Sequence, residues 1–152
     1  MVTEVNKYYL FPSTIVADEQ FHEIDTVLGS CIAVCLYDTK LKIGGMNHYM
    51  LPLWNGEGLA SPKFGNIAIN KLVEKMTKMG SSRQNLIAKV FGGANQINSS
   101  TNVGERNAQI AREQLTSLGI KIVLENTGGT IGRKIRFNTC TGEVLMRFLN
   151  KS

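Results

Sequence analysis

Residues 24–54, IDTVLGSCIAVCLYDTKLKIGGMNHYMLPLW, decide how this chain is read. β-Branched, aromatic and alternating apolar residues run through it in the pattern of strands rather than helices. Asp38 to Lys40 falls as a turn between two strands, IDTVLGSCIAVCLYD and LKIGGMNHYMLPLW, which are expected to form a hairpin. Gly29-Ser30-Cys31 interrupts the strand pattern with small residues just before a nucleophilic side chain, and small residues let a substrate approach closely. His48 lies on the partner strand of the hairpin, where it could meet Cys31 across the sheet without a long loop.

Working outward, VNKYYLF before this stretch reads as a further strand. After it, Phe64, Ile67, Ala68, Leu72, Met76 and Met79 fall on one helical stripe, with Lys71, Glu74, Lys75 and Lys78 opposite and Gly80 placed to end the helix. NLIAKVF is a strand running into Gly92-Gly93, and the polar stretch 95–101 reads as a surface loop. A second helix carries Val103, Ala108, Ala111, Leu115 and Leu118, with Asn102 and Glu105 at the spacing of a capping box and Gly119 as its stop. IKIVLEN, then RKIRF and EVLMRFL around a turn at Thr139 to Gly142, complete the strands. Helix, Gly, strand, Gly-Gly thus occurs twice, a weak structural echo. The expected fold is α+β: a single-domain sandwich over 1–152 of mostly antiparallel β-sheet, about seven strands, with two main amphipathic helices packed on it.

Composition bounds the function. With 152 residues, 43% hydrophobic and 19% charged, the chain can enclose a core without disulfides or a structural metal. No apolar run is long enough to cross a membrane and the first residues do not read as a signal peptide, so a cytoplasmic protein without membrane insertion is expected. The net charge of +5 permits acidic partners, but the basic residues are scattered apart from Arg133, Lys134 and Arg136, which argues against nucleic acid. TGGTIGRK fails as a phosphate loop because Ile135 follows Lys134, and the cysteines lack zinc spacing, so neither metal nor cofactor is expected. Cys35 sits among apolar neighbours as a core residue, Cys140 in a turn as an incidental thiol, and His22 in a polar segment as a solvated ring.

Cys31 with His48 is the minimum unit of nucleophilic catalysis. A free thiol is only roughly 3% thiolate at neutral pH, so an imidazolium neighbour that holds the anion and later protonates a leaving amine is the expected activation.

Those residues also carry a resemblance. LGSCIAVCLYD, GGMNHYMLP, AKVFGGA, VGERNA and ENTGGTIGRKIRFNTCTGEV, from Leu28 to Val144, are similar in order and spacing to the chemoreceptor glutamine deamidase (CheD) family. The resemblance implies hydrolysis of glutamine side chains on chemoreceptor cytoplasmic helices in chemotaxis adaptation, with a cysteine, a histidine and a threonine as the catalytic group. Cys31 and His48 match the first two. The family threonine lies six residues before the cysteine in some members, where this chain has Asp25, with Thr26 one position later; either could orient His48. Oxyanion donors are expected from the backbone at Gly29, Ser30 or Cys31, and Asn47, Gly44 and Gly45 flank the pair in sequence, with Gly92-Gly93 or Arg106 able to approach from the other half of the chain. The family also pairs with a CheC-type phosphatase, which is the second expected partner. The rival reading is a non-catalytic regulator that binds chemoreceptors or such a phosphatase.

Overall fold

A computed structural model describes residues 6–95 and 102–149. The surface loop expected over 95–101 lies outside the described residues beyond Asn95. In chain order the elements are β1 (Lys7–Tyr9), β2 (Thr14–Ala17), β3 (Glu23–Leu28), β4 (Ile32–Asp38), β5 (Ile43–His48), α1 (Gly65–Lys78), β6 (Leu86–Gly92), α2 (Val103–Ser117), β7 (Lys121–Thr127), β8 (Arg133–Asn138) and β9 (Val144–Phe148).

Two sheets form, β1-β3-β8-β9 and β2-β5-β4-β6-β7, giving the expected α+β sandwich with two more strands than counted from the sequence. Five of the seven strand pairings are antiparallel; β1 with β3 and β6 with β7 are parallel. The second parallel pair gives the weak echo a physical meaning, because α2 is the crossover that any parallel neighbour needs.

Three layers result. Ile32, Val34 and Leu36 of β4 face α1 and α2, where Leu72, Met76, Ala111 and Leu115 are fully buried. Ala33, Cys35 and Tyr37 face the other way, against Ile24, Leu28, Ile135 and Phe137 of the four-stranded sheet. Hence β4 is buried along its whole length, which is why its sequence reads as a continuous apolar run rather than an alternating one. Each buried Leu or Phe contributes about 1.5–3 kcal/mol.

Two sequence expectations change. IDTVLGSCIAVCLYD is not one strand: the chain leaves the four-stranded sheet at Leu28 and enters the five-stranded sheet at Ile32, so Gly29-Ser30-Cys31 is the step between layers. The capping box is not made either. Asn102 sits at φ 48°, ψ 42°, a left-handed conformation that Asn tolerates, and its side chain makes no capping bond.

Gly44 and Gly45 also take a structural part rather than a place beside substrate. A Cβ on Gly44 would lie 2.9 Å from the Phe137 ring, and one on Gly45 would lie 2.8 Å from Ala17 Cβ and 2.9 Å from Leu72 Cδ1. One glycine admits the opposing sheet and its neighbour admits α1.

Candidate active site

The register of the central hairpin brings the thiol and the imidazole to one face. β4 and β5 pair from Asp38 with Ile43 to Cys35 with Met46, and again at a bridge between Ile32 and Tyr49. In that register His48 stands opposite Ala33, one diagonal step from Cys31. Cys31 packs with the cluster between the sheets, the side on which Ala33, Cys35 and Met46 also lie. Between the two paired stretches the ladder opens, and the Val34 N–H donates instead to Asn47 Oδ1 at 2.9 Å.

Asn47 therefore has a structural post. It is fully buried and, by the alternation of β5, faces the helices while Met46 and His48 face the other sheet. The expectation that it contacts substrate does not fit this orientation.

His48 meets the four-stranded sheet through Thr26. Thr26 Oγ1 lies 2.7 Å from His48 Nδ1 and 2.7 Å from the Leu10 carbonyl oxygen. A carbonyl only accepts, so the Thr26 hydroxyl spends its proton on Leu10 and must accept from Nδ1–H. This chain fixes the tautomer: Nδ1 carries the proton and Nε2 is left with a lone pair. Among the described residues Nε2 is buried without a hydrogen-bond partner, the arrangement required of a base awaiting a proton.

Asp25 does not reach the ring. In β3, Ile24, Thr26 and Leu28 are buried toward the seam, whereas Asp25 lies on the outer face and accepts two bonds from Arg136, at 2.9 and 3.0 Å. The period-two pattern of EIDTVL contained this distinction, since Thr26 alternates in phase with Ile24 and Leu28.

Burial sets the charge state. With 2% of its surface exposed, His48 is pushed down to about 4 from an ordinary 6.5 by loss of solvent, partly opposed by the nearby Leu10 carbonyl dipole. The same desolvation pushes the Cys31 thiol up, partly offset by its own backbone N–H. Both shifts favour the uncharged forms, a thiol and a neutral imidazole, over the imidazolium–thiolate pair expected from the sequence.

Segments far apart in sequence converge behind the nucleophile. Gly93 N–H donates to the Cys31 carbonyl at 2.9 Å and Ala94 N–H to the Gly29 carbonyl at 3.0 Å. A Cβ on Gly92 would collide with the Cys31 carbonyl oxygen, and one on Gly104 at the start of α2 would lie 2.5 Å from the Gly93 oxygen. Asn107 of α2, fully buried, donates through Nδ2 to the carbonyls of Ser30 at 3.0 Å and Met50 at 2.9 Å. Arg106 beside it is exposed. Asn107 escaped the sequence reading because a polar residue in an amphipathic helix reads as solvent-facing; its phase with Ala108, Ala111 and Leu115 was the available signal.

Among the described residues no group of three or more His, Cys, Asp or Glu could hold a metal ion, and no helix is long and apolar enough to cross a membrane.

Known proteins bear on this site. The family profile described as CheD chemotactic sensory transduction matches residues 50–148. A protein of Trichlorobacter lovleyi named probable chemoreceptor glutamine deamidase CheD is 51% identical over 145 residues, covering 93% of this chain and 90% of the relative. The chain belongs to the CheD family. A second CheD relative, from Sulfurimonas denitrificans and with the same name, is 50% identical over 153 residues, covering 98% of both chains. The CheD profile begins beyond His48, but the CheD of Rhodospirillum rubrum, 40% identical over 155 residues, covers 100% of this chain and 88% of its own, so the likeness extends over the part that carries Thr26, Cys31 and His48.

Proposed function

We propose that this protein is a protein-glutamine glutaminase that converts glutamine side chains of chemoreceptor cytoplasmic helices to glutamate in chemotaxis adaptation, with Cys31 as nucleophile, His48 as acid and base, and Thr26 as the residue that orients His48. The observation that carries the reading is the fixed tautomer: the Leu10–Thr26–His48 chain leaves Nε2 free on the face it shares with the thiol. The substrate class rests on the names of the relatives.

Because both groups rest neutral, the Cys31 proton passes to His48 Nε2 as Sγ attacks the glutamine Cδ, forming the S–C bond and placing the electron pair on oxygen. Thr26 accepts from Nδ1–H throughout and stabilises the imidazolium as it forms. The oxyanion takes hydrogen bonds from backbone N–H groups at Ser30 and Cys31. Collapse breaks the C–N bond, and the nitrogen leaves as ammonia with the proton from Nε2. Water then attacks the thioester while the again neutral Nε2 takes its proton, and that proton returns to the departing sulfur. The balance is amide plus water to acid plus ammonia.

Asp25, paired with Arg136 on the far face, has no part in this scheme. The reading also places the protein in the cytoplasm, where receptor helices are accessible, and keeps a CheC-type phosphatase as a second partner. The test is peptide mass spectrometry of folded chemoreceptor cytoplasmic fragments incubated with the protein. Specific glutamines should become glutamate with release of ammonia; binding of these fragments without conversion would favour the non-catalytic regulator.

A further inference from the structure

We infer that Asn107 is a positioning residue that shapes the oxyanion hole, by pinning the Ser30 and Met50 carbonyls so that the Cys31 N–H is held on the thiol side of the loop. This rests on the reading of Cys31 as nucleophile.

A trans peptide is planar, with its C=O and N–H pointing in opposite directions. Wherever a carbonyl of the 29–31 step is anchored, the next residue's N–H is aimed the other way. The Gly29 carbonyl is held by the Ala94 N–H at 3.0 Å, which turns the Ser30 N–H outward. The Ser30 carbonyl is held by Asn107 Nδ2 at 3.0 Å, which turns the Cys31 N–H outward. Among the described residues neither of these two N–H groups donates to a backbone acceptor. With both carbonyls anchored behind the loop, the Ser30 and Cys31 N–H groups face away from those anchors, on the side where an oxyanion bonded to the attacked carbon would form.

Among the described residues, of the anchors on this loop only that at Ser30 comes from a side chain. Asn107 uses both Nδ2 hydrogens, one on Ser30 and one on Met50, two residues past His48. The strands carrying nucleophile and base stop pairing beyond the Ile32–Tyr49 bridge, and Asn107 ties them together there. Asn107 is in turn fixed by the Tyr49 hydroxyl, which donates to its carbonyl at 2.5 Å. Its place on α2, whose first turn packs through Gly104 on Gly93, links the helix to the catalytic loop.

The test compares Asn107→Asp, Asn107→Ala and a remote core variant, Met76→Ala on α1, with the unmutated protein. Thermal unfolding, the pH profile of Cys31 alkylation by iodoacetamide, and kcat and KM on a receptor fragment are measured for each. The Asn107 variants should lose about 10–100-fold in kcat, less than the roughly 100–1000-fold that follows direct loss of an oxyanion donor, with KM within about threefold, while Met76→Ala at matched destabilisation keeps its kcat. The midpoint of the alkylation profile should move up in the Asn107 variants, because the N–H leaves the sulfur; simple loosening would hydrate the thiol and move it down. Should both Asn107 variants unfold, Tyr49→Phe removes the hydroxyl anchor with little loss of volume and should lower kcat in the same sense. A kcat within about twofold of the unmutated protein in folded variants, or an alkylation midpoint that falls, overturns the inference. If the unmutated protein does not deamidate at all, the functional reading fails, and the alkylation midpoint alone decides the role of Asn107.

Discussion

Acidification should weaken the fold through one residue. His48 is held at about 4 in the folded protein against 6.5 for an ordinary imidazole, so between those values the unfolded chain binds the proton and the folded one does not. The contribution is fully present above pH 6.5 and is lost as pH falls toward 4. At about 1.4 kcal/mol per pH unit the whole interval corresponds to about 3 kcal/mol, a large share of the 5–15 kcal/mol that typically holds a domain folded. The assay is urea unfolding at a series of pH values from 7.5 to 4.5 for the unmutated protein and for His48→Gln, with the difference between them plotted so that the carboxylates cancel. The difference should fall by about 2–3 kcal/mol across that range, most steeply at about pH 5, midway between the two values. A difference that stays flat, or one that grows as pH falls, would refute the reasoning; growth would mean that the imidazolium is the form the fold prefers.

The neutral pair has a kinetic counterpart: alkylation of Cys31 should keep rising with pH above neutrality, whereas an ion pair would give a plateau from mildly acidic to mildly alkaline pH, and iodoacetamide rates followed by peptide mass separate the two. Thr26→Val keeps the shape of the side chain but removes the acceptor for Nδ1–H, and should lower kcat about 10–100-fold through the wrong tautomer, while Asp25→Asn should leave kcat within about twofold. Gly92→Ala combines a backbone at φ +112° with a Cβ driven into the Cys31 carbonyl, and should cost about 2–4 kcal/mol, read as a lower urea midpoint.

Periodicity exposed what each element needs locally. The stripe from Phe64 to Met79 foretold α1, and Gly80 its end; the Asp38–Lys40 turn foretold the β4–β5 hairpin and so the shared face of Cys31 and His48. What the sequence hid were relations between layers. Nothing in IDTVLGSCIAVCLYD says that the chain changes sheets at Gly29, because small residues mark a bulge, a turn or a crossover alike. Thr14–Ala17 escaped notice because a four-residue edge strand beside Pro12 is too short to show a period. The choice between Thr26 and Asp25 was readable from alternation, yet only the opposing sheet reveals that the inward residue touches His48. The charge state of the pair could not be read at all, since it follows from burial and not from residue type.

The central claim is that Cys31 becomes covalently acylated by the glutamine it converts. Acid quenching of the protein during turnover of a receptor fragment, followed by mass analysis of the peptide that contains residue 31, tests it most directly. The account predicts a hydroxylamine-sensitive adduct on Cys31 that carries the substrate acyl group, with both adduct and conversion lost in Cys31→Ala. Conversion of the same glutamines by Cys31→Ala at the unmutated rate would contradict it.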